Sequence, residues 1–197
     1  MKLITQEEIG LFYKYFVQEG KEGDRICDGA ERRSTDDLFY LMFSDLLEVA
    51  QNLVGVDGKV AREEVNAINE LFATAGYHTG WLKLKLESSV IPPLQAKSDL
   101  LNDLAAARFA IYEKEGFTAR ALEDALSVLE AFLYVWTTFM CEIIISDRDF
   151  SQEETDLLLN YLGEYCDQVS GLFKTEFVLS HRIREQLRAA VQACYHG

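Results

Sequence analysis

The sequence predicts an all-α protein, a compact multi-helix bundle built around two related helix-turn-helix halves. Three observations predict it. The only prolines are adjacent, Pro92 and Pro93, so long stretches are free of the strongest helix breaker. Apolar residues recur at helical spacing over most of the chain. Helix-opening signals, such as Thr5 with Glu8 and Ser151 with Glu154, stand just before those runs. Hydrophobic residues make up 49% of the chain and aromatics 12%, enough for a folded core rather than a disordered chain. At 197 residues a single domain over 1–197 is the default, with a core over about 35–170 and extra helices at either end.

The elements follow in order. Thr5 and Glu8 form a capping box ahead of Ile9, Leu11, Phe12, Tyr15 and Phe16, and Gly20 is read as the stop. Lys21 to Ser34 is charged and dotted with glycine, a loop. Thr35 caps a second helix running to about Val56, apolar around much of its circumference and therefore central. Asp57-Gly58 marks a turn. A third helix runs from about Ala61 to Gly76, with Val65, Ile68, Leu71 and Phe72 in register. Trp81 to Leu86 alternates apolar and basic residues, so strand and helix both fit; with no partner strand visible, a short helix is preferred, before the break at Pro92-Pro93. Leu94 to Glu115 is helical and ends at Gly116. Thr118 caps a long helix to about Ile145, the second core helix. Ser151 opens another to about Val169, and an amphipathic helical tail covers about Leu172 to Tyr195.

Charge narrows the partners. The net charge of -14 disfavours nucleic acid and anionic membranes and favours cations and basic surfaces. The basic candidates, Arg32-Arg33 and Arg182 to Arg188, sit among acids. The stretch from Ala131 to Ile145 is the most apolar. It contains Glu142 and falls short of the roughly 20 apolar residues a span needs, so it reads as a buried core helix. The start, Met1 to Glu8, is polar, so no secretory signal is expected. Cys27, Cys141, Cys166 and Cys194 make no Cys-x-x-Cys pair, and His78, His181 and His196 are scattered, which excludes a zinc site of usual spacing. Free thiols without a signal suggest the cytoplasm. Cys141 and Cys166 are expected to be buried apolar fillers. No phosphate-binding glycine loop or nucleophile elbow is present.

One constellation points to function. Asp57-Gly58-Lys59-Val60-Ala61-Arg62-Glu63-Glu64 and Asp147-Arg148-Asp149-Phe150-Ser151-Gln152-Glu153-Glu154 both read Asp-x-x-apolar-small-x-Glu-Glu, at a constant offset of ninety positions. Each follows an apolar helix and opens an amphipathic one. The glutamates suit the positive end of a helix, whereas the aspartates at helix C-termini do not. Clustered carboxylates suit a hard cation such as calcium or magnesium. The same residues are also everyday turn and cap chemistry, and that structural reading stands beside the metal one. Glu130, Glu142, Asp45 and Glu48 interrupt apolar helices and are expected at wet edges.

On the stretch Asn52 to Glu64, with Ile68 and Phe72, the sequence resembles the tellurite-resistance TerB family, and Asp147 to Glu154 looks like that family's second acidic junction. The matching parts cover about a quarter of the chain. The resemblance implies a helical bundle with a divalent-metal site at Asp57, Glu64, Asp147 and Glu154. It also implies a cytoplasmic, non-catalytic adaptor role in tellurite or stress resistance, with a protein partner that is often membrane-bound. Arg148 in place of the turn glycine and Ala61 in place of a capping hydroxyl depart from the pattern. Two other readings remain open: a carboxylate-metal hydrolase, and an interaction module without metal. An enzyme needs a concave pocket beside its metal. An interaction module needs an exposed apolar patch.

Overall fold

Local signals set the helix boundaries. The computed structural model describes residues 11, 14–16, 18, 19, 21, 22, 35–58, 60–74, 98–148 and 150–195. Among them lie six α-helices, α1 (Thr35–Gly55), α2 (Arg62–Thr74), α3 (Asp99–Lys114), α4 (Ala119–Ile144), α5 (Gln152–Phe173) and α6 (His181–Tyr195), with a 3₁₀ turn over Ile145–Asp147. The described residues between 11 and 22 are helical as well, and Lys21 and Glu22, expected in the loop after Gly20, are among them. No strand occurs among the described residues. The expected N-terminal cap, the loop over 23–34, the short helix over 81–86, Pro92-Pro93, Cys27, Arg32-Arg33, His78 and His196 lie outside them.

Thr118 accepts from the Ala121 amide at 3.1 Å to open α4, as its position predicts. α3 begins later than Leu94. Its cap is Ser98, whose hydroxyl also donates to Asp45 on α1 at 2.7 Å, so a tertiary bond fixes the start. Gly116 and Phe117 both take positive φ and turn the chain sharply into α4. α5 runs past Val169 to Phe173 because Leu162, Val169 and Phe173 keep its buried face continuous. Lys174, left-handed at φ 53°, ends it, and the tail helix starts only at His181.

α4 is the axis of the bundle. Leu129, Leu133, Trp136, Met140, Ile143 and Ile144 are fully enclosed, and α1, α2, α3, α5 and α6 all pack on it. With its 3₁₀ extension it is long and apolar enough to cross a bilayer, but 61% of its most apolar window is buried within the fold. It is a core helix, as the sequence indicates. α1 supplies the second core face through Leu46, Leu47, Val49, Ala50 and Leu53. Two cross-contacts relate the halves: α2 of the first packs on α4 of the second, and α5 of the second packs on α1 of the first. Cys141 and Cys166 are buried among apolar neighbours, as expected.

Candidate functional site

The two acidic junctions share their turn bond and their glutamate-to-backbone bond. After α1 the amide of Gly58 donates to the Gly55 carbonyl at 3.0 Å; after α4 the amide of Arg148 donates to the Ile145 carbonyl at 3.1 Å. Gly58 and Arg148 both sit in the left-handed region, at φ 79° and 69°. Arg148 therefore does the turn glycine's work, and its departure from the pattern leaves the backbone unchanged. Glu64 then reaches back to accept from the Ala61 amide at 2.7 Å, and Glu154 from the Ser151 amide at 2.8 Å. The second capping box is complete, because the Ser151 hydroxyl accepts from the Glu154 amide at 3.1 Å. Ala61 has no hydroxyl to do the same. Every equivalent pair is ninety positions apart, so the offset seen in the sequence is an offset in structure.

The junctions also meet. α2 packs against the 3₁₀ turn that carries Asp147. Glu64 and Glu154, only 3% and 5% exposed, hydrogen-bond to one another through their carboxyl groups. Burial raises the Glu64 carboxyl to about 8; the Ala61 amide opposes the rise, while the charges of Glu154 and Asp147 and the Glu154 hydrogen bond add to it. Burial raises Glu154 as well, against the Ser151 bonds and the bond from Glu64, and with the charge of Asp57. Each glutamate thus feels the aspartate of the opposite junction. Two bare carboxylates in one buried space repel strongly, so the pair favours holding a proton between them.

Of the four predicted residues, the structure pairs Glu64 with Glu154, and Asp147 and Asp57 act on them through charge. The glutamates form the buried centre and the half-buried aspartates flank it. Their chemistry is right for a hard cation. Yet among the described residues no three His, Cys, Asp or Glu side chains converge around one point.

Two polar residues have tertiary partners that the sequence does not show. Asp45, half-buried and bonded to Ser98, has its carboxyl raised to about 6 by burial. Arg108 is buried on α3, bonds Glu19 at 3.3 Å and also pairs with Asp124 on α4. The signal for the second was present: Arg108 stands alone in the run Leu104 to Tyr112. Glu130 and Glu142 are half-exposed, as expected of a wet edge, and His181 is exposed.

Two cavities open elsewhere. One of about 290 Å³ lies between α5 and α6, against Phe150, Leu158, Leu187 and Val191. The other, of about 410 Å³, lies between the N-terminal helical residues and α4, against Leu11, Tyr15, Val128 and Phe132. Neither is lined by any of the four acids. Comparisons of the chain with protein-family models, curated proteins and solved structures gave no match.

Proposed function

We propose that this chain is a TerB-like, non-catalytic adaptor that responds to a divalent cation, calcium or magnesium, at its paired acidic junctions. One observation carries the reading: Glu64 and Glu154, each anchored to its own helix start, meet in a buried pair within electrostatic reach of Asp147 and Asp57. Acids this enclosed need either a proton or a cation. Asp57, Glu64, Asp147 and Glu154 would hold the cation, which supplies charge compensation between the halves. Its occupancy then acts on the angle between α1–α2 and α4–α5, and a protein partner reads the change. The tellurite- or stress-resistance setting, and a partner that is itself membrane-bound, rest on the sequence resemblance alone. The separation of the acids from both cavities favours binding over hydrolysis.

A second reading has its own support. The carboxyl-carboxyl bond, together with the absence of three convergent donors among the described residues, suits a proton-linked structural pin with no metal. One experiment separates them. Melting temperature is measured with and without calcium or magnesium, at matched ionic strength, for the wild type and for Asp57→Asn with Asp147→Asn. A cation that binds only the folded state adds about 2.7 kcal/mol at a hundredfold excess over its dissociation constant. The adaptor reading expects a shift in the wild type that the double variant largely loses. Equal shifts in both proteins would sink the site and leave the pin.

A further inference from the structure

We infer that Cys141 and Cys194 are a redox pair, which an oxidant joins into a disulfide that clasps the end of α6 to α4. The placement comes from helix packing. Ile183, Leu187, Ala190 and Cys194 follow at intervals of four, three and four, a single helical stripe. Ile183 and Ala190 on it are enclosed, Leu187 packs on the core, and Cys194 is half-buried. α6 packs along α4 and reaches the 3₁₀ turn at its end. The guanidinium of Arg182 lies 3.7 Å from the centre of the Tyr134 ring, which sets the first turn of α6 over the middle of α4. From there the stripe runs towards the last turn of α4, where Cys141 is fully enclosed. Cys141 stands seven positions after Tyr134, two helical turns along the face of α4 that α6 covers.

The environments assign the roles. Burial, with smaller contributions from Glu142 and Cys194, pushes the Cys141 thiol up to about 12, so Cys141 is a poor first attacker. Cys194, partly open to solvent, meets the oxidant first. With hydrogen peroxide, the Cys194 thiol attacks as its thiolate, takes one oxygen to become a sulfenic acid, and its proton joins the departing hydroxide, which leaves as water. The Cys141 sulfur then attacks the sulfenic sulfur, forms the S–S bond and releases a second water. Two thiols and one peroxide give one disulfide and two waters. The clasp fixes the last turn of α6 beside the second acidic junction. It does not depend on a cation binding there.

The full chain is treated with a modest excess of peroxide, its remaining thiols are alkylated, and the peptides are mapped without reduction. The expected result is a peptide pair joining Cys141 to Cys194, an intact mass lower by two hydrogens, and a melting temperature several degrees above the reduced protein. A dithiol reductant reverses all three. Cys194→Ser, a change at a half-buried position, melts like the reduced wild type and loses the whole response. Oxygen added to Cys194 while Cys141 stays free, or linkage of Cys194 to Cys27, Cys166 or a second molecule, would overturn the pair.

Discussion

Arg148 holds φ 69° and ψ 14°, a left-handed conformation that a residue with a Cβ enters at a cost of about 1–2 kcal/mol. Its counterpart Gly58 holds φ 79° without that cost, and a Cβ added there meets nothing within 4 Å. The two positions therefore isolate backbone strain from packing. Gly58→Ala should destabilise the protein by about 1 kcal/mol, with no clash to blame. Arg148→Gly should stabilise it, by somewhat less, because the added freedom of glycine in the unfolded chain offsets part of the relief. Urea unfolding of the two variants measures both. Changes of the same sign would refute the equivalence of the two turns.

At the level of elements, the duplicated junction was legible because it depends on local chemistry. A left-handed turn residue and a glutamate three positions after the cap make the same backbone bonds in both copies, and only the Ser151 hydroxyl bond is lost where Ala61 stands. What the sequence did not show is that Glu64 and Glu154 touch. That contact depends on α2 crossing α4 and α5 crossing α1, and no local pattern encodes a crossing. The same reason hides the bond from Ser98 to Asp45, which joins residues 53 positions apart. The contact has a measurable pH signature. The folded carboxyl of Glu64 is raised from 4.5 to about 8, so between those values the folded state binds more protons than the unfolded. Stability then falls as pH climbs through that window, by up to about 1.4 kcal/mol per unit for one proton, and levels off above it. Asp45 adds a slope of the same sign only up to about 6. Glu64→Gln keeps an acceptor for the Ala61 amide and a donor for Glu154, yet cannot titrate. Denaturation curves between about pH 6 and 8 should slope downward for the wild type and run nearly flat for the variant. A variant that keeps the wild-type slope would place the shared proton elsewhere.

For the whole molecule, charge decides which large partners are accessible. The basic residues of α6 are the described candidates for a phosphate-binding face, and three of them are exposed: Arg182, Arg184 and Arg188. Arg182 is already engaged with the Tyr134 ring, and Arg188 is paired with Glu185. If all three were freed to meet phosphates, the salt slope of binding to duplex DNA would be only about −3 in log units. Proteins that hold nucleic acid at physiological salt make more contacts than that, and they do not approach it against a net charge of -14. Screening over about 8 Å leaves much of the acidic field in place. Titrating duplex DNA or single-stranded RNA into the protein at physiological salt should therefore produce no shifted band. Removing the three arginines together should change nothing in that assay. A tight complex that weakens steeply with added salt, and vanishes with those arginines, would show that the face of α6 overrides the field of the rest of the molecule.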